Sequence, residues 1–370
     1  MYIHERENWP NFFWNQDKII DLLAQLRHQQ GRLVGGMESI GFHVRKETIL
    51  QTLTQDVVKS SEIEGEILDQ SLVRSSVARH LGMDTAALDR IDRNVDGIVE
   101  MMLDATQKYD QPLTKERLLS WHTSLFPFQQ SSLSKIRVGA WRLGSVQVVS
   151  GQMGKETVHF EAPSAEKVDL EMKVFLDWLN HEAAMDLVLK AALAHLWFVT
   201  IHPFDDGNGR IGRAIADLIL ARSEKSPHRF YSLSAQIQIE RKKYYTILEQ
   251  TQKGQLDVTS WIEWFFCCLE RAIESALATF DKIINKAHFW ESLATVSLNE
   301  RQKKMINRIL DGFYGKLTSS KWAKMTKCSQ DTAHRDILDL INLGILVKNS
   351  EGGRSTSYSL ASTLKFSVEK

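Results

Sequence analysis

The sequence predicts a mainly α-helical protein with a small β-hairpin, and three observations carry that expectation. Apolar residues recur at helical spacing, as in Ile19, Leu22, Leu23 and Leu26, and again in Leu187, Ala191, Ala194 and Phe198. Strand-like alternation is rare. Its best case is Val146 to Val149, followed by Ser150-Gly151-Gln152-Met153-Gly154 and then Thr157-Val158-His159-Phe160, which reads as a hairpin around a glycine-containing loop. Only 6 prolines punctuate the chain, so boundaries between elements are soft.

The 370 residues suggest more than one domain, since a single domain takes roughly 150. Asp110-Gln111-Pro112 breaks a helix, and a second boundary falls near Ser292 to Asn299. The expected organisation is an N-terminal helical domain (1–105), a core (106–290) and a C-terminal domain (295–370). Within the C-terminal domain Ile345-Leu346-Val347 and Ser357 to Leu360 read as β-like, separated by Glu351-Gly352-Gly353.

Lys plus Arg and Asp plus Glu both number 46, so the formal net charge is zero. A whole-molecule charge argument for nucleic acid or an acidic membrane therefore fails, and any such contact needs a local patch. The 3 cysteines, Cys267, Cys268 and Cys328, form no C-x-x-C pair. That excludes a thiol zinc site of ordinary spacing and fits a reducing cytosol. The longest uncharged run, Ala191 to Phe204, is too short to span a bilayer, and the N-terminus lacks a secretory apolar region. A cytoplasmic protein without membrane contact is expected.

The chemistry concentrates in His202-Pro203-Phe204-Asp205-Asp206-Gly207-Asn208-Gly209-Arg210-Ile211-Gly212-Arg213. Pro203 ends the apolar helix before it. Apolar periodicity resumes at Ile211, Ile215, Leu218 and Ile219, so Gly-Asn-Gly sits in the turn at a new helix's N-terminus. Unpaired first-turn amides and the helix dipole there suit phosphates. Arg210 and Arg213 share a face at i, i+3 spacing and suit a polyphosphate. Asp206 suits magnesium, which prefers carboxylate and phosphate oxygens. His202 alone has an ordinary pKa near neutrality and is the natural general base. That inventory fits nucleotidyl or phosphoryl transfer. Two other readings weigh against it: a plain structural turn, or a metal-hydrolase site made by Asp205, His202 and His195.

The same segment resembles the Fic family signature H-x-F-x-[D/E]-G-N-G-R-x-x-R and matches it at every defined position. The resemblance implies a Fic-type helical core with a β-hairpin flap, an enzyme, and transfer of AMP from ATP to a Ser, Thr or Tyr hydroxyl of a target protein, self-modification included. His202 would take the hydroxyl proton. Asp206 would hold magnesium. Gly207, Asn208, Gly209, Arg210, Ile211, Gly212 and Arg213 would bind ATP, with Arg210 on the leaving pyrophosphate and Arg213 on the γ-phosphate. The flap, at Val148, Val149, Ser150 and Gly151, would pin the target by strand addition. Arg241 to Gln252 resembles the family's base-lining helix, which nominates Tyr244, Tyr245 and Gln252 for ATP. Fic proteins are often homodimers, and some move other phosphate-containing groups.

Upstream, Ser60-Ser61-Glu62-Ile63-Glu64-Gly65 resembles the family's inhibitory motif [S/T]-x-x-x-E-[G/N], through Ser60, Glu64 and Gly65. The resemblance implies an inhibitory helix at about 56–69, with Glu64 occupying Arg213. Such a glutamate can also serve AMP removal. The opening, Tyr2-Ile3 through Trp9-Pro10 and Phe12-Phe13-Trp14, resembles a helical domain fused to Fic cores, and its aromatics read as packing. Residues Leu298 to Leu360 resemble a winged helix, with Thr318 to Met325 as second helix and Ser329 to Asn342 as recognition helix. Gln330, Thr332, His334 and Arg335 would face outward, towards DNA or a protein partner. The rival to an enzyme is therefore a nucleotide-sensing DNA-binding regulator.

Overall fold

The computed structural model describes residues 1–83, 92–127, 136–150, 157–313, 315–349 and 356–361, without the side chains of His43 and Ser150. It is mainly helical: α1 (Gln16–Ser39), α2 (Phe42–Ile63), α3 (Gln70–His80), α4 (Arg93–Gln107), α5 (Lys115–Leu125), β1 (Gln147–Ser150), β2 (Thr157–Glu161), α6 (Ala165–His181), α7 (Leu187–Ile201), α8 (Asn208–Glu224), α9 (Leu233–Ile239), α10 (Arg241–Gln252), α11 (Thr259–Ser292), α12 (Glu300–Leu310), α13 (Ser319–Thr326), α14 (Gln330–Asn342), β3 (Leu346–Lys348) and β4 (Tyr358–Leu360). The chain forms two compact units, Met1–Ala276 and Leu277–Lys370, and the division falls inside α11.

The first unit is built around α7 and α8. Helix α7 has apolar residues all round, and every residue from Val188 to Ile201 is buried, the mark of a central helix. Asp186 caps it by accepting from the amides of Val188 and Leu189. Trp261 of α11 donates its indole N–H to Ala192 O at 2.8 Å. The N-terminal aromatics pack: Trp9 and Phe12 each meet Trp197 edge-on, with ring centroids 6.2 and 5.8 Å apart. The hairpin forms where alternation placed it. Strands β1 and β2 pair antiparallel with a bulge between Val148 and Val149. Gly151, nominated for the flap, lies outside the described residues.

Helix α2 ends at Ile63 rather than running through the expected 56–69. Gly65 explains the stop. It takes φ +88, a conformation costly for a side chain. Gly65 N–H then bonds Glu62 O at 3.0 Å, and Glu66 N–H bonds Ser61 O at 3.0 Å, closing the helix end.

The second unit packs α12, α13 and α14 with the antiparallel pair β3–β4. Its core gathers Met305, Ile306, Trp322, Ile337, Leu340 and Ile345. Thr318 and Ser329 cap α13 and α14. Gln330, His334 and Arg335 are exposed and Thr332 half-buried. Glu351, Gly352 and Gly353, read as the separator of the two β-like stretches, lie outside the described residues. Among the described residues no helix is long and apolar enough to cross a membrane.

Candidate active site

The α7–α8 turn carries the site. Pro203 cannot continue α7, and the chain leaves it through His202 in the left-handed region, φ 53 and ψ 58. Gly207 then takes φ +83 and admits α8. A side chain there would meet Phe126 at 3.1 Å. The loop is stitched by Asn208, which is buried: its Oδ1 accepts from Phe204 N–H at 3.0 Å and its Nδ2 donates to Phe204 O at 2.8 Å. Asn208 therefore serves the site through loop shape and backbone rather than through a free amide. The first backbone bond into α8 runs from Ile211 N–H to Gly207 O. The amides of 208 to 210 are the helix's unpaired first-turn donors.

His202 is half-buried, and its Nδ1 lies 3.1 Å from Val199 O. A carbonyl only accepts, so Nδ1 carries the proton and Nε2 keeps the lone pair. Burial, aided by the charge of Arg142, holds the imidazole below its ordinary 6.5. It is neutral at pH 7, as a base must be.

Asp206 is exposed. Its Oδ1 accepts from Gly207 N–H at 2.5 Å and lies 3.9 Å from Arg210 Nη2. One accessible carboxylate at the mouth of a phosphate site fits magnesium, which takes one or two carboxylates and fills its shell with water and phosphate oxygens. Among the described residues no three His, Cys, Asp or Glu side chains gather into a metal cluster. His195 is buried with Nε2 3.0 Å from Tyr244 Oη, and burial pushes its pKa down to about 3. The metal-hydrolase reading of Asp205, His202 and His195 loses its third ligand.

Both arginines are occupied. Arg213, 1% exposed, pairs through Nη1 with Glu64 Oε1 at 2.8 Å. Its Nε donates to Ser60 Oγ at 3.0 Å and its Nη2 to Ser60 O at 2.8 Å. The Glu64 carboxyl sits below the usual range. Burial opposes that shift, and the charges of Arg213 and Arg210 outweigh it. Gly209 is required for this fit, because a Cβ there would stand 2.0 Å from Glu64 Oε1. Arg210 pairs with Glu66 Oε2 at 2.7 Å and lies over the Phe126 ring. Its buried Nε has no hydrogen-bond partner among the described residues, which suits an anion arriving there.

A cavity of about 650 Å³ is lined by Glu64, His202, Asp206, Gly207, Asn208 and Gly209, by Val146 to Val149 of the hairpin, and by Tyr244, Tyr245 and Gln252 of α10. Of the nominated residues Ile211 faces the core, and Gly212 packs against Val199. Tyr245 lies with its hydroxyl 3.3 Å from Ile63 O and 3.4 Å from Glu64 Oε2. Gln252 donates to Thr200 Oγ1 at 3.2 Å.

Sequence reasoning missed three residues. Glu66 was one position beyond the motif. His122 accepts from Gly139 N–H at Nδ1, 3.0 Å, and donates from Nε2 to Asp206 O, 3.2 Å. It stacks on Phe204 with centroids 4.1 Å apart, and burial lowers its pKa to about 4. Arg142 is buried beneath His202. No local signal marks the last two, since the bonds that tie them to the site, to Asp206 O and His202 O, span 84 and 60 residues.

A helical core, a hairpin beside the cavity and a base–carboxylate–glycine–arginine turn define a Fic-type domain. The Fic/DOC family matches residues 112–220, and the chain carries a domain of that family. Residues 2–83 match a domain of unknown function, DUF4172. "Protein adenylyltransferase Fic" of Nematostella vectensis is 26% identical over 243 residues, covering 63% of this chain and 51% of that protein. "Protein adenylyltransferase fic-1" of Caenorhabditis elegans is 35% identical over 122 residues, 32% of this chain and 21% of that protein. The chain thus spans about half or less of these relatives. The crystal structure of a Fic family protein from Desulfovibrio desulfuricans superposes with a TM-score of 0.56 at 21% identity, covering 95% of this chain and 98% of that one. A Fic domain containing signaling protein from Bacteroides thetaiotaomicron does so with 0.53 at 21% identity, covering 70% and 97%.

Proposed function

We propose that the protein is an adenylyltransferase that moves AMP from ATP to a Ser, Thr or Tyr hydroxyl of a protein, restrained by Glu64. The observation that carries the reading is the convergence of His202, Asp206 and the 207–209 turn on one cavity, with Arg210 beside Asp206 and Arg213 behind Glu64 at its wall. Neutral His202, with Nδ1–H on Val199 O, takes the hydroxyl proton at Nε2. The hydroxyl oxygen forms a bond to the α-phosphorus. The bond from that phosphorus to the bridging oxygen breaks, and pyrophosphate leaves towards Arg210 and Arg213. Asp206 would hold magnesium, which supplies charge neutralisation on the phosphates. Among the described residues β1 pairs with β2 alone, and its other edge is the side that would take an extended target segment.

With Glu64 on Arg213 and Glu66 on Arg210, both guanidiniums are engaged before ATP arrives. Transfer requires at least the Glu64 pair to open. The names of the relatives support AMP as the transferred group. Incubating Glu64→Gly with ATP labelled at either the α- or the γ-phosphate tests the chemistry. Label retained from the α-position alone supports AMP transfer. Label from the γ-position would replace it with phosphoryl transfer.

A second activity is favoured by one observation. Lys and Arg outnumber Asp and Glu over residues 277–370, although the whole chain is balanced. The three helices and strand pair there resemble a winged helix, and DNA binding through α14 is the reading that this charge supports. Salt-dependent retardation of duplex DNA by the full chain, weakened by Arg335→Ala, tests it. Retardation unchanged by that variant or by salt would remove it.

A further inference from the structure

Arg142 is one of the largest fully buried side chains, and among the described residues no carboxylate pairs with it. Its guanidinium instead donates to backbone carbonyls from three segments. Nε donates to His202 O at 2.8 Å, and Nη2 reaches Ile201 O at 3.4 Å and Pro163 O at 2.5 Å. Nη1 donates to Gly144 O at 2.7 Å. The Arg142 amide adds a bond to Pro203 O at 2.9 Å. Gly144 leads into β1, and Pro163 follows β2. One cation therefore ties both ends of the hairpin to the turn that carries the base.

The turn needs such a tie. His202 holds a left-handed backbone, which costs a residue with a side chain on the order of 1 kcal/mol or more and persists only when its surroundings fix it. Val199 O fixes the ring, and Arg142 fixes the carbonyl. A cation at the C-terminus of α7 is also favoured by the helix dipole. A planar fork with five donors can serve these carbonyls together, which a lysine cannot.

We propose that Arg142 is a positioning residue for the transfer reaction, holding His202 in its left-handed conformation and locking the hairpin to it. This rests on the transferase reading above. On the Glu64→Gly background, Arg142→Met should lower kcat for AMP transfer about 100-fold, the scale of a misplaced general base. ATP binding by calorimetry should stay within about twofold, because no nucleotide contact is assigned to Arg142. Arg142→Lys, which keeps the charge, should fall between and should still fold if the methionine variant does not.

A separate readout needs no transfer at all. The His202 imidazole, titrated by NMR without nucleotide, should move up towards 6.5 in Arg142→Lys, which keeps the charge, as its position loosens and gains solvent. A purely structural Arg142 predicts lower thermal stability with kcat and, in Arg142→Lys, the His202 titration unchanged, and that outcome overturns the proposal. Absence of transfer in Glu64→Gly itself would count against the transferase reading. The titration would still decide whether Arg142 positions His202.

Discussion

Replacing Glu64 by glycine should weaken the free protein and strengthen its hold on ATP, by related amounts. Arg213 is 1% exposed and Glu64 30% exposed, with 2.8 Å between their charged atoms. Removing one partner of a fully buried pair costs about 3–5 kcal/mol, because a buried charge is left uncompensated. Glu64 is partly solvated and Arg213 keeps Ser60 Oγ and Ser60 O, so about 2 kcal/mol is the reasonable scale. In the wild type a γ-phosphate must displace the carboxylate and bear the same cost. Productive ATP binding is then weakened about 30-fold relative to Glu64→Gly. Thermal unfolding with and without ATP and magnesium measures both. The nucleotide-free variant should melt several degrees below wild type, and saturating ATP should raise its midpoint by more, since an affinity gain of that size adds about 2 kcal/mol of ligand stabilisation. Equal ATP shifts in the two proteins would refute the competition between Glu64 and the phosphate.

Three further outcomes follow from the geometry. Glu66→Gln should tighten ATP binding about threefold to tenfold by releasing Arg210, as expected for a partly exposed pair, and leave transfer low because Glu64 remains; calorimetry and labelling together check it. Activity of Glu64→Gly should hold from pH 8 down to the ordinary histidine value of 6.5 and fall only below it, because burial depresses the His202 pKa, and a pH–rate profile checks it. Stability should fall as pH drops from 6.5 towards 4. Below 6.5 the unfolded chain takes up protons that the fold refuses while His122 stays neutral down to about 4 and His195 down to about 3, so stability is lost until those values are reached. Denaturant midpoints across that window check the sign, and a His122→Asn variant should flatten the decline.

The turn from His202 to Arg213 was legible because its chemistry is contiguous: a proline ends one helix, two glycines open the next, and the arginines share a face. The hairpin was legible from alternation around Gly151. The end of α2 was not, because acidic and apolar residues continue helically through Leu68 and only the positive φ of Gly65 stops them. Arg142 and His122 were invisible for a different reason. Each reaches the site through a backbone carbonyl distant in sequence, and backbone carbonyls look the same at every position. Tyr244 was nominated as a base-lining ring. It borders the cavity, yet it is 2% exposed and its hydroxyl is turned to His195.

The central claim is that one cavity holds the chemistry and that Glu64 restrains it. Wild type, Glu64→Gly, and Glu64→Gly with His202→Ala, each given magnesium and ATP labelled at the α-phosphate, test it together. The account predicts strong protein-bound label in the Glu64→Gly single variant, little in wild type and none above background when His202 is also lost. Equal labelling of all three, or none in any despite intact folding and ATP binding, would contradict it.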